Sequence, residues 1–321
     1  MPAAAEDRPE LLVLRALKLG DLLVAVPALK ALRRAFPGHR IRYAAQEWLR
    51  PVLALTGAVD DLLPLHGLDV PIDVPPGQVD VAVNLHGRGP ESCGRLEALQ
   101  PARLIGHAGP GWDGPPWKDG VHERERWAGL LAWHGIPADP LDYRLDPPPG
   151  ADHAPEAVVL HVGAAYGSRL WPADRFAGVA RELAAAGNRV LFTGSSAERR
   201  RALEVAQRAG MPEESVVAGA LGLAEFASVI ARASLVVSAD TGAAHLASAY
   251  ARPSVVLFGP APVSEWGPPP GPHIALTDES RRRGDTFAAD PDPALLAVTV
   301  EDVLAAAEKL DALQGTAGRS G

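Results

Sequence analysis

The chain has 321 residues, of which 47% are hydrophobic and 22% charged, a globular balance at a length that suggests two domains. A net charge of -8 at pH 7 argues against a broad basic face for nucleic acid, and no apolar run approaches the roughly 20 residues of a membrane span. Cys93 is the only cysteine and forms no internal disulfide, and the acidic start MPAAAEDRPE is unlike a secretory signal, so a cytoplasmic protein is expected.

In chain order, residues 11–17 (LLVLRAL) predict a strand. Residues 21–35 predict a helix ended by Pro37-Gly38, with Pro27 inside it to kink it or mark its effective start. Strands are expected at 40–45, 62–66, 79–85 and 102–107, then a helix at 122–135. Residues 137–156 are rich in Pro and Asp without sustained periodicity and read as a linker between two domains, 1–148 and 149–321. The second half repeats the alternation, with strands at 157–162, 188–194, 215–219, 234–239 and 253–259. Its helices are expected at 173–186, 196–209, 222–233, 241–250 and about 300–313. Short apolar strands alternating with helices make this an α/β chain with parallel sheets buried on both faces. Two such blocks imply two Rossmann-like domains with their sheets facing a central cleft.

Ligands of such sheets sit beyond the carboxyl ends of the strands, near the point where strand order reverses. The loops of interest are therefore Leu17 to Asp21, Asn84 to Ser92, His161 to Trp171, Thr193 to Glu198, and Asp240 to His245. In the last, Asp240-Thr241-Gly242 stands between strand and helix. Backbone N–H groups of Thr241 to Ala244 at a helix start suit a phosphate, Gly242 permits close approach, and His245 shares a helix face with Thr241. The same residues also read as a plain N-cap, and Asp21 at its own helix start has that alternative too.

Other signals carry less. Gly109 to Gly114 spells G-x-G-x-x-G, but Pro115-Pro116 follow, so no helix opens there for a dinucleotide. Asp290-Pro-Asp292 spells the D-x-D of metal-dependent sugar transferases, yet it precedes a helix in a Pro-rich loop, where turn and cap chemistry explains it. Arg281 to Arg283 reads as a solvated loop, with an anionic ligand as the other reading. No Walker A, H-E-x-x-H or G-x-S-x-G sequence occurs, and neither a metal site nor a cofactor is expected.

Several loops together resemble the ADP-heptose:lipopolysaccharide heptosyltransferases, glycosyltransferase family nine. The stretches are LVLRALKLGDLLVAVPALKALRRAFP, VAVNLHGRGPES, HVGAAYGSRLWP, FTGSSAER, SADTGAAHLASA and LFGPAPVSEWGP, in that order from Leu12 to about Pro268. The resemblance implies a GT-B fold, with the acceptor on the N-terminal domain and the nucleotide sugar on the C-terminal one. It places Asp21 at the position of the proposed catalytic base, beside Gly20. Gly163, Ser168 and Arg169 fall on the donor loop, where Arg169 replaces the more frequent Lys and offers a planar fork instead of a point charge. Glu198 matches an acid that holds ribose hydroxyls, and Asp240, Thr241, Gly242, Ala243 and His245 fall on the diphosphate loop. Asn84, His86 and Ser92 match the acceptor side, with strand-end capping the alternative for Asn84 and His86.

The residue types suit sugar transfer. A cation-like transition state forms at the anomeric carbon as a nucleoside diphosphate leaves, and Arg169 with the helix start at Thr241 can stabilise the growing negative charge. Asp21 can take the acceptor proton. One base without a second carboxylate nucleophile implies inversion, and the cationic groups can replace a metal. The expected partners are a nucleotide-sugar donor, with ADP-heptose implied, and a glycan, glycolipid or small-molecule acceptor. A monomer without a transmembrane segment is expected, with peripheral membrane contact left open. The rival readings are a nucleotide-sugar epimerase of similar two-domain fold and a non-catalytic nucleotide-binding relative.

Overall fold

The computed structural model describes residues 8–149 and 156–317, with side chains described through residue 313. The leader MPAAAED and residues 150–155 of the expected linker lie outside the described residues. The chain divides into two compact units, Met1–Asp146 and Pro147–Gly321.

The first unit runs β1 (Glu10–Leu14), α1 (Leu19–Ala35), β2 (Arg40–Ala45), α2 (Arg50–Ala54), β3 (Asp61–Pro64), β4 (Val79–Asn84), α3 (Glu91–Glu97), β5 (Arg103–Ile105) and α4 (Glu123–Trp133). Its five strands form one parallel sheet in the order β3-β2-β1-β4-β5. Successive strand residues point to opposite faces, and both faces are covered, so the strands are apolar throughout. Leu12, Leu14, Ala44 and Ala82 pack with Leu96, Leu99 and Trp112, while Leu11, Val13, Tyr43 and Val83 are buried on the other face. Pro27 lies buried inside α1 and neither starts nor ends it. The helix instead begins at Leu19, two residues earlier than its pattern suggests.

The second unit runs β6 (Val158–His161), α5 (Ala173–Ala185), β7 (Val190–Thr193), α6 (Arg199–Ala209), α7 (Leu223–Arg232), β8 (Leu235–Ala239), α8 (Gly242–Ala249), β9 (Ser254–Leu257), α9 (Val263–Trp266), β10 (His273–Leu276), α10 (Pro293–Ala297) and α11 (Val300–Ala317). Its sheet is also parallel, in the order β10-β9-β8-β6-β7. Val158, Leu160, Val190, Phe192, Val237 and Val255 pack with Trp171, Phe176, Val205 and Val303 in one core.

The α/β class with parallel sheets is the one the alternation implies. Some elements differ. The strand expected at 215–219 reduces to a single bridge between Phe192 and Val216. A 3-10 turn at Glu213–Ser215 precedes it and Gly219 has φ +74°, so little extended chain remains to pair. β10 is an added edge strand, short and preceded by a proline-rich run. Within the expected linker, Asp142 is tied to Lys30 at 3.0 Å and Arg34 at 2.6 Å, and the Asp146 N–H donates to Leu55 C=O at 3.1 Å. That stretch therefore lies along the first unit.

Strand order reverses between β1 and β4 in the first sheet and between β6 and β8 in the second. The loops leaving those strands are where an open parallel sheet offers a crevice.

Candidate active site

In the first unit, β1 stops at Leu14, the chain turns with Leu17 N–H on Arg15 C=O at 2.9 Å, and α1 opens at Leu19. Gly20 and Asp21 are its second and third residues. Asp21 Oδ2 accepts the Lys18 N–H at 3.2 Å, which satisfies one donor of the helix start. Asp21 Oδ1 accepts from Arg15 Nη2 at 3.1 Å. Arg15 is 2% exposed and also donates from Nε to Asp21 C=O at 2.7 Å and from Nη1 to Leu85 C=O. Its guanidinium lies 4.7 Å from the Trp127 ring centroid. The cap alternative is thus realised at Asp21, while its carboxylate remains 22% exposed and held at a defined angle.

The loop after β4 meets this group. Asn84 Oδ1 accepts the His86 N–H at 3.0 Å, and Asn84 Nδ2 donates to Ser92 Oγ at 3.0 Å. Asn84 and Ser92 are 1% and 2% exposed, so their side chains bond each other and shape the loop instead of facing solvent. His86 is half-buried, and its Nδ1 accepts the Ala16 N–H at 3.2 Å. Burial, and then the neighbouring Arg15 cation, hold the His86 imidazole below its ordinary value, so the neutral ring carries its proton on Nε2.

In the second unit three strand ends supply the site. A Cβ on Gly163, just past β6, would overlap the carboxyl carbon and both oxygens of Glu198. A Cβ on Gly194, just past β7, would lie 3.2 Å from Glu198 Oε2. These two glycines leave a slot for that carboxylate, which accepts the Ser195 N–H at 2.6 Å. His161 Nδ1 lies 3.0 Å from Thr193 Oγ1 beside it, and burial lowers the His161 proton affinity. Arg201 of α6 holds the loop, donating to Val162 C=O at 2.8 Å and to Trp171 C=O.

Arg169 Nη1 donates to Asp240 C=O at 3.0 Å and stands 3.3 Å from Asp240 Oδ2. His245 Nε2 is 3.5 Å from Asp240 Oδ1. Arg169 Nε and Asp240 Oδ2 are buried without a hydrogen-bond partner in the protein, and Asp240 is only 3% exposed. Buried polar groups are normally satisfied, so an orphaned donor here marks a place for a ligand atom or a water. Thr241 caps α8, its Oγ1 accepting the Ala243 N–H at 3.3 Å and lying 2.8 Å from Ser238 Oγ. The Thr241 carbonyl takes the N–H groups of Ala244 and His245 at 3.1 and 3.4 Å. The cap therefore engages part of the helix start that a phosphate was expected to use, and Gly242, the first residue of α8, is outside those bonds.

Ser168 differs from its expected place. It is fully buried, its Oγ donates to Thr286 C=O at 2.5 Å, and its N–H and C=O bond Ala288 and Asp292. Its side chain fixes the 285–292 loop. In that loop Asp292 caps α10 and accepts the Arg283 and Gly284 N–H groups, as turn and cap chemistry requires. Arg281 pairs with Asp278 at 2.9 Å. Among the described residues no three His, Cys, Asp or Glu side chains group as metal ligands, and no helix is long and apolar enough to cross a membrane.

Sequence reasoning missed Arg15, Glu123 and Gly194. For Arg15 a signal existed: a lone cation directly after an apolar strand cannot be buried without a paired partner. Glu123 had none, because an acid in the first turn of a helix is ordinary.

Comparison with known proteins shows what the chain is similar to. Residues 143–281 match glycosyltransferase family 9 (heptosyltransferase). The lipopolysaccharide heptosyltransferase 1 of Pseudomonas aeruginosa is 38% identical over 148 residues, 44% of this chain, and the match spans 41% of that relative, less than half its length. The glycosyl transferase family 9 structure from Veillonella parvula matches with a TM-score of 0.76 and 20% identity over 94% of this chain and 97% of that one. The ADP-heptose lps heptosyltransferase II of E. coli matches with a TM-score of 0.72 and 19% identity over 95% and 99%. At that identity the two structures establish the fold, GT-B. The match to the glycosyltransferase family 9 (heptosyltransferase) model thus covers residues 143–281, less than half of this chain.

Proposed function

We propose that the protein is an inverting, metal-independent heptosyltransferase, moving heptose from ADP-heptose to a hydroxyl of a glycan or glycolipid. The observation that carries the reading is the set of groups at the ends of β6, β7 and β8 within the matched stretch: the Glu198 slot, the Arg169–Asp240–His245 group, and the start of α8. A carboxylate between two glycines suits vicinal ribose hydroxyls. A partly exposed guanidinium with a buried, unpartnered Nε, close to a helix N-terminus, suits a diphosphate. The donor is taken from the name of the E. coli ADP-heptose lps heptosyltransferase II, and lipopolysaccharide, named for the P. aeruginosa relative, makes lipopolysaccharide core the first acceptor to test.

In this reading the first unit serves the acceptor and the second the donor. The acceptor hydroxyl gives its proton to the Asp21 carboxylate, and its oxygen bonds to the anomeric carbon. The anomeric C–O bond to the diphosphate breaks on the opposite face, and ADP leaves with the electron pair. Arg169 and the α8 terminus stabilise its charge as it grows. His86 donates from Nε2 to an acceptor oxygen. Asn84, Ser92 and Ser168 hold the loops that carry these groups. The chain works in the cytoplasm as a monomer.

The test is ADP release from ADP-heptose with lipopolysaccharide core oligosaccharide, in EDTA, for the parent and for Asp21→Asn. Acceptor-dependent release that survives EDTA and falls by about 10²-fold or more in Asp21→Asn supports the reading. Near-parent turnover in Asp21→Asn removes Asp21 from the mechanism. Free-sugar release without acceptor points to an epimerase-like reaction, and tight nucleotide binding without turnover to a binding protein.

A further inference from the structure

Arg15 is a buried cation shared between two carboxylates. Its Nη2 lies 3.1 Å from Asp21 Oδ1 and 3.6 Å from Glu123 Oε2. Glu123 opens α4 and is itself buried. Its Oε1 accepts from Arg126 Nε at 2.6 Å, and its Oε2 accepts from Trp127 Nε1 at 3.1 Å. Trp127 also presents its ring to the Arg15 guanidinium. Asp21, Arg15, Glu123 and Arg126 therefore form a row of alternating charge. It begins at a partly exposed carboxylate and runs into the protein.

A helix start alone does not call for this. Glu123 at a first helical turn would be favoured with its carboxylate in solvent. Here it is turned inward onto a cation, an indole N–H and a second cation. Apart from its link to Arg15, nothing in the site described above uses it.

We propose that Glu123 is a positioning residue for Asp21, acting through Arg15: it holds the guanidinium in place and offsets part of its charge. The proposal rests on the reading of Asp21 as the base. A guanidinium 3.1 Å from Asp21 Oδ1 holds that oxygen in an ion pair and draws its negative charge toward Arg15. A second carboxylate on the same cation works against that, and more strongly because the group is sheltered from water. Arg126 on the far side of Glu123 restrains the offset in turn. The other groups around Asp21 are the Lys18 N–H on its own helix, His86 from the loop after β4, and Tyr43 from β2. His86 is neutral and Tyr43 keeps its proton, raised by burial, so neither competes with the charged row near pH 7.

The test is the pH dependence of kcat/KM for ADP release with ADP-heptose and the core oligosaccharide, in Glu123→Gln and Arg126→Gln. Glu123→Gln keeps an oxygen for one of Arg126 and Trp127, sets its NH2 against the other, and removes the charge, leaving Arg15 wholly to Asp21. Its acidic limb should move down by about one pH unit, and its plateau kcat should fall about threefold, with KM for ADP-heptose unchanged. Arg126→Gln should move the limb the opposite way, because the Glu123 charge then acts on Arg15 alone. Opposite shifts support the proposal. Limbs at the parent position, or shifted the same way in both variants, overturn it. If Glu123→Gln does not fold, as judged by its melting curve, the direction in Arg126→Gln decides alone. Asp21→Asn is run beside them: high activity there sinks the base reading itself, whereas an inactive Asp21→Asn with unshifted limbs sinks only the role of Glu123.

Discussion

Gly163→Ala isolates the second unit's slot with one methyl group. Gly163 is not among the glycines with positive φ, so alanine meets no backbone strain. The added Cβ would overlap the carboxyl group of Glu198, the far end of a flexible side chain. That carboxylate must retreat by about 1 Å or more to restore van der Waals contact. That carboxylate is anchored by the 2.6 Å bond from the Ser195 N–H, so the retreat stretches or breaks that bond. Losing that bond costs about 1 kcal/mol, or roughly 2–4 °C in melting temperature for a unit of this size. The functional effect is larger if Glu198 holds the ribose. ADP affinity should fall at least tenfold, about 1.4 kcal/mol, by titration calorimetry. The double variant Gly163→Ala/Glu198→Ala closes the argument. Once Glu198 is absent the methyl group has nothing to displace, so it should cost little more. Parent-like ADP affinity in Gly163→Ala would remove Glu198 from the nucleotide site. Equal losses with and without Glu198 would show that the methyl group distorts the loop itself.

Two further outcomes are expected. Gly242→Val should stay folded, because Gly242 is a helical residue of α8 without positive φ and valine is no worse a helix former; its ADP affinity should drop about tenfold if α8 cradles the diphosphate, and equal affinity by calorimetry would leave the stretch a cap alone. Acidification should lower the melting temperature, because burial depresses the proton affinity of His86, His107 and His161. The unfolded chain binds protons at these rings below about pH 6.5 while the native chain resists them, so stability is lost as pH falls from there. A melting temperature flat from pH 7.5 to 5.5 would refute that.

How much was legible in the sequence depended on the kind of signal. Strand and helix alternation located both sheets because apolar runs such as LLVL and AVVLHV have no other use in a sheet covered on both faces. The 215–219 segment failed on the same logic: SVVAG is apolar, but apolar composition does not distinguish a ladder strand from a chain crossing a strand end after a turn. β10 was hidden because four residues after a proline-rich run carry no period. In the site, acids and glycines at strand ends were visible as types, but their partners were not. Asn84 and Ser92 are eight residues apart and read alike as ligand-facing or mutually bonded; only their geometry shows that they bond each other. Arg15 and Glu123 are far apart in sequence, and their approach depends on how α4 packs beside α1.

The helix cap and the functional reading, both open in the sequence at Asp21 and at Thr241, do not exclude each other in the structure. A helix that starts directly after a parallel strand leaves backbone N–H groups facing the same crevice that a ligand would enter. A side chain that caps such a helix is thereby held, with little freedom, at the rim of that crevice. Asp21 illustrates the consequence. One carboxylate oxygen closes the helix start on Lys18, the other is fixed by Arg15, and the group still keeps a share of solvent exposure. Thr241 caps α8 through Ala243, and so fixes the turn that brings Asp240 against Arg169 and His245. Capping gives these side chains the fixed orientation that the proposed proton transfer and phosphate binding would need. A test of function at either position must therefore separate stability from activity. In Asp21→Asn the amide still offers an oxygen to the Lys18 N–H but no longer a base, and its NH2 then faces Arg15, so its melting curve is read beside its turnover.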